Sequence, residues 1–151
     1  MSTYQTTYAE KPAVGLAGLV PTTEPGIDVS RTVESAAGIA FGQPAFRGAG
    51  DNGVKVYAAG AVFLGIAKLT PAVPADAVNP DKYPQNFTGA FRVTGPMYVV
   101  AGGNVAAGGK VYWDSATGKY VADNTKVEIP ATVFDASGVA NDIVKIVLKD
   151  R

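Results

Sequence analysis

The chain has no cysteine and no histidine. The first absence excludes a disulfide framework and thiolate chemistry. The second removes the commonest general base and the commonest metal ligand, so catalysis would have to rest on carboxylates, lysine or tyrosine. Charge is also scarce. Charged residues make up 17% of the 151, and 13 basic residues balance 13 acidic ones to a formal net charge of zero. Phosphate neutralisation dominates nucleic-acid affinity, and the sequence has no basic surplus or stripe, so no nucleic-acid partner is expected. Long hydrophobic runs are missing as well. The longest, VYAAGAVFLGIA at 56–67, is too short for a membrane span and is broken by Gly60 and Gly65, so no membrane partner is expected either. The opening MSTYQTTYAEKPAVG has no basic stretch followed by an apolar run, and a secretory leader is not expected.

What is present is apolar and rich in turn formers. Hydrophobic residues are 47% of the chain, beside 18 glycines and 10 prolines. This suits a β-rich globular protein with many turns and enough length for a real core. Residues 1–30 read as an extended arm, holding Pro12, Pro21 and Pro25 without a sustained period of 2 or 3.6. The arm carries Val14, Leu16, Leu19, Val20 and Ile27, side chains that need burial on the protein's own body or on a neighbour.

From residue 31 to 151 the pattern is that of a β-domain. TVES, GIAFG and PAFRG are short strand candidates, and Asn52-Gly53 is the strongest hairpin signal. VKVYAA and AVFLGIAKL read as two strands around Ala59-Gly60. Residues 70–89 form a long loop with Pro71, Pro74, Pro80 and Pro84. AFRVTGPMYVVA, KYVA, PATVFDA and NDIVKIVLKD complete the strands, the last with Val144, Ile146 and Leu148 on one face. The best helical window, 31–41, is weakened by Gly38 and β-branched residues.

The motifs that could carry chemistry fail on inspection. GGNVAAGGKVYWD at 102–114 approaches a phosphate-binding loop, but Asn104 stands where the first glycine belongs and Val111 where the hydroxyl belongs. A hairpin, with glycines serving its turn, fits better. Asp114 to Gly118 faintly suggests a calcium loop, yet Ala116, Gly118 and Thr125 occupy the ligand positions 3, 5 and 12. Most acidic residues lie in expected turns, where aspartate caps its own backbone, and no acid/base motif marks a catalytic pair. Asn86-Phe87-Thr88 is formally a glycosylation sequon. The seven tyrosines and Trp113 could stack on sugars, but sheet and interface packing uses the same residues.

Taken in order, the Pro/Gly-rich arm, SRTVE, GIAFGQPAF, FLGIA, the Pro-rich loop with Tyr83, FRVTGPMYVVAGGNVAAGGKVYWDSATGKYV and the closing KIVLK resemble the capsid cement (head decoration) proteins of tailed bacteriophages. The resemblance spans about residues 25–150 and rests on order and spacing. Gly103 and Gly109 depart from it, standing where polar residues are common. It implies an all-β, β-barrel- or β-sandwich-like domain made in the host cytoplasm and carried on the outer surface of the virion capsid. It also implies a homotrimer, a major capsid protein partner, no cofactor and no enzymatic activity. Val14, Leu16, Leu19, Val20, Ile27, Tyr83, Phe87 and Trp113 are then the expected capsid or subunit interface. The alternatives are a phage surface carbohydrate-binding module using Trp113 and the tyrosines, and a small hydrolase built on a carboxylate pair.

Overall fold

The computed structural model describes residues 15–21, 23–71, 73 and 81–150. Among them are eleven strands and no helix: β1 (Ile27–Val33), β2 (Ile39–Ala40), β3 (Pro44–Arg47), β4 (Gly53–Lys55), β5 (Phe63–Ala67), β6 (Lys82–Tyr83), β7 (Thr88–Val100), β8 (Lys110–Asp114), β9 (Lys119–Val121), β10 (Val127–Phe134) and β11 (Ile143–Leu148). Window 31–41 therefore holds the end of β1, a turn and β2. Thr32 and Val33 are β-branched and pair with Gly53 and Val54, and Gly38 at φ +73 breaks the chain before β2.

Nine strands form one sheet in the order β1-β4-β3-β5-β7-β11-β10-β8-β9, and β1 also pairs with β7. That second pairing closes β1, β4, β3, β5 and β7 into a five-stranded barrel, which removes their free edges. Its interior holds Val33, Ile39, Ala45, Val54, Leu64, Phe91 and Tyr83, the tyrosine supplied by the small β2–β6 pair.

β7 is long enough to serve two layers. Its first half pairs with β1 and β5, and its second half, from Gly95 to Val100, pairs with β11. Gly95 makes the switch possible: it takes φ +110, and a Cβ there would lie 2.7 Å from Gly26 Cα. The strands after it form a second layer over the outside of the barrel. Alternation decides what they bury. In β8 Val111 and Trp113 face inward, and in β11 Val144, Ile146 and Leu148 do. They meet Phe46, Phe63 and Ile66 on the outer face of β3 and β5. This makes β5, FLGIA, buried along its whole length. The far edge of the layer is covered too, since Ala101 bridges Tyr120 of β9 and the Gly102 N–H donates to the Tyr120 carbonyl at 2.7 Å.

Several local expectations change with pairing partners. β7 and β8 do not form a hairpin across 102–109, because β11 and β10 stand between them. The tight hairpin follows β8 instead, where Asp114 pairs with Lys119 and Gly118 supplies φ +69. The hairpin signalled by Asn52-Gly53 does form, with β3 and β4 joined by residues 48–52, and the Glu34 carboxylate enters that loop to accept from the Ala49 and Gly50 N–H groups at 2.8 and 3.0 Å. β4 and β5 are not neighbours, since β3 lies between them. The stretch 70–89 contains β6 and the start of β7, and its Pro74 and Pro80 lie outside the described residues. An arm ending at residue 30 would also cut through β1, which begins at Ile27.

Candidate interaction surface

Residues 15–21 and 23–28 form a strap held on the barrel by backbone bonds and two charge clusters. The Gly18 N–H donates to the Tyr98 carbonyl at 2.8 Å, and the Tyr98 N–H donates to the Leu19 carbonyl at 2.9 Å. The strap thus takes the edge of β7 opposite β11. The Leu69 N–H donates to the Gly18 carbonyl at 2.8 Å, which ties the strap to the chain after β5. Gly18 is required here, because its φ is +81 and a Cβ would sit 2.8 Å from the Gly42 nitrogen. Farther along, Lys145 of β11 binds both Glu24 at 2.7 Å and Asp135 at 2.8 Å. At the head of β1 the Asp28 carboxylate accepts from Arg92 Nε at 2.8 Å and Lys68 Nζ at 2.9 Å, and Arg92 Nη1 donates to the Pro96 carbonyl.

These contacts shape the electrostatics. Burial pushes the Asp28 carboxyl up, but hydrogen bonds and charge from Arg92 and Lys68 outweigh it and leave its pKa below the ordinary value. Hydrogen bonds that the Lys145 ammonium donates to the Asp135 and Glu24 carboxylates raise its pKa well above the ordinary lysine value. Glu34, Asp114 and Asp123 are also held below their ordinary range. For Glu34 the Gly50 and Ala49 N–H groups do this. For Asp114, burial is outweighed by Ala116, Thr117 and Lys126, and for Asp123 the cause is Thr125. Asp114 and Asp123 thus act as turn caps, as their positions suggest. All four shifted carboxylates move toward the ionised form, opposite to what a general acid needs. Among the described residues no group of three or more acidic side chains is gathered as a metal site would require.

The expected interface residues divide sharply. On the strap Leu16 is 65% exposed, Leu19 37% and, at the strap's junction with β1, Ile27 60%. Val20, between them, is half-buried and packs on the core. Val14 lies outside the described residues. Tyr83 is a correction, since it is used inside the chain, whereas Trp113 is mostly buried but keeps an edge on a surface cleft. Tyr83 is fully buried, and its hydroxyl donates to the Lys68 carbonyl at 2.6 Å. Trp113 packs 4.9 Å from Tyr120, whose hydroxyl donates to the Gly42 carbonyl at 2.7 Å. Phe87 is half-buried and stacks on Tyr83 at 5.6 Å. With Pro71, Leu69 and Ala90 it lines a groove of about 410 Å³. The sequence reading weighed Tyr57 only among the tyrosines as a group and passed over exposed Val56, Val62 and Val139. The signal was available for Val56, Tyr57 and Val62: the run VYAAGAV lacks any charged residue.

The family described as "Structural cement protein (E217 gp24/Pam3 gp6)" matches residues 4–149. No curated protein matches the sequence. A chain in the solved structure of the capsid of Myoviridae phage XM1 is 16% identical, with a TM-score of 0.75 over 97% of this chain and 98% of that one. A chain of the head fiber gp8.5 N base in bacteriophage phi29 is 13% identical, with a TM-score of 0.44 over 82% of this chain and 93% of that one. At 16% identity the likeness to the XM1 chain establishes a shared fold.

Proposed function

This chain belongs to the phage structural cement protein family, and from that premise we propose that it works by adhesion: it seats on the outside of an assembled capsid and ties major capsid protein subunits together. The observation that carries the proposal is the strap. It is fastened to the body by main-chain bonds and the Glu24 and Asp28 clusters, yet Leu16, Leu19 and Ile27 point away from the core. Apolar side chains on a preorganised backbone bind without a large ordering cost. Made in the host cytoplasm, the protein then meets the shell as a homotrimer. Several weak contacts per trimer act together, because each bound one raises the effective concentration of the next.

The proposed role needs no catalysis and no cofactor. A sugar-stacking role is not favoured, because Trp113 is only 6% exposed and packs against Tyr120. The test is co-sedimentation of the full chain with cement-free shells. Leu16→Asp and Ile27→Asp, both at exposed positions, should weaken binding by about tenfold or more each, since burial of an aliphatic side chain contributes roughly 1.5–3 kcal/mol. Unchanged binding by the double variant would remove the strap from the capsid contact.

A further inference from the structure

The connection between β4 and β5, residues 56–62, reads VYAAGAV and has no side-chain polar group except the Tyr57 hydroxyl. Surface connections are usually polar, so seven such residues in a row call for a partner. Val62 is 62% exposed, Val56 39% and Tyr57 36%. The segment is nevertheless held in place. The Val56 N–H donates to Ser35 Oγ at 3.0 Å, the Ala61 N–H to the Ala58 carbonyl at 3.0 Å, and the Arg47 N–H to the Val62 carbonyl at 2.8 Å. The Tyr57 ring rests edge-on against Phe46, with centroids 5.3 Å apart. The result is a fixed apolar ridge.

A hollow lies directly beside it. Tyr57 and Trp113 line two adjoining clefts of about 320 and 230 Å³. Pro44 and Val56 line one, Ala116 and Val127 the other. The charged groups in the hollow are Asp114 and Lys126, and they pair with each other at 3.5 Å. Asp114 also accepts from the Ala116 N–H and the Thr117 hydroxyl. The hollow therefore offers apolar surface beside the neutral polar side chains of Gln43, Ser115 and Thr125, and its charges are already compensated. A charged partner gains nothing at such a surface, whereas a neutral apolar one fits it. Small apolar side chains are what the adjacent ridge presents, and a chain of zero net charge does not repel its own copies.

We propose that the occupant of this hollow is a second copy of the chain, with ridge residues 58–62 of one protomer seated against Tyr57 and Trp113 of the next. In the homotrimer proposed above the contact runs head-to-tail, from the ridge of one copy to the hollow of the next, and closes into a ring. This rests on the self-association reading above and supplies its interface.

The test is sedimentation velocity of the full chain over a range of concentrations, without capsid. The wild type should be a closed oligomer. Val62→Glu should weaken self-association at least tenfold while leaving the melting temperature within a few degrees. Ala59→Lys, at a second exposed ridge position, should do the same. A wild type that stays monomeric, or both variants assembling as the wild type does, overturns the proposal. So does a variant that stays oligomeric but no longer binds shells, because the ridge would then face the capsid. Shell binding by Leu16→Asp is read separately. A wild-type monomer that still binds shells defeats this interface and leaves the cement role standing, and an oligomer that never binds shells does the reverse.

Discussion

Replacing Asp28 by Asn removes the charge that holds three parts of the molecule together. Its carboxylate joins the head of β1 to Arg92 of β7 and to Lys68 after β5. The Arg92 side chain is 5% exposed, so its guanidinium would keep only the Pro96 carbonyl and a weaker amide acceptor. Removing one partner of a fully buried pair costs about 3–5 kcal/mol. Asp28 is itself a quarter exposed and Lys68 a third, so water screens part of the loss, and we expect about 2–3 kcal/mol. For a chain of this size that is roughly 6–10 °C in melting temperature at neutral pH. The deficit should be pH-dependent. Asp28 has a folded pKa below its unfolded value, so its contribution is complete above the unfolded value and is lost as pH falls through the folded one. Wild type and variant should therefore converge below about pH 4. Arg92→Met in the Asp28→Asn background should recover part of the loss, because it removes the unpaired cation. Calorimetry across pH reads all three effects. A shift under about 2 °C at pH 7, or a deficit that persists unchanged into acid, would refute the reasoning.

Two further substitutions probe how the layers are joined. Gly18→Ala places a Cβ 2.8 Å from the Gly42 nitrogen at a residue with φ +81, so the strap should detach at a cost of about 2–4 kcal/mol, read as faster limited proteolysis near the N-terminus. Tyr120→Phe removes the hydroxyl that reaches the buried Gly42 carbonyl, for a loss of about 1–2 kcal/mol by denaturant melts. Burial holds the same phenol protonated well above its ordinary pKa, so in alkaline titration of the wild type its ionisation should coincide with unfolding.

Much of the fold was legible where local pattern and burial coincide. The alternation in IVKIVL placed Val144, Ile146 and Leu148 inward, and VYW placed Val111 and Trp113 on one face, because the pleat enforces period two whatever the partner strand. The turn chemistry of Asp114 to Gly118 was legible for the same reason. Pairing was not. The hairpins expected at 102–109 and around Ala59-Gly60 failed because strand order depends on which distant segment covers an edge. The interface list failed at Tyr83, since a large aromatic is equally suited to a core and to a contact.

The sequence by itself determined an all-β chain without thiol, imidazole or surplus charge. Those properties are sums over residues and need no partner to be read. Only the tertiary structure decided which apolar residues remain outside. Closure of the barrel through the β1–β7 pairing and the second layer over β3 and β5 drew Tyr83, Trp113 and all of FLGIA inward. The same closure left Leu16, Ile27 and the 56–62 ridge exposed, because burial is set by what lies across the sheet and not by the residue itself.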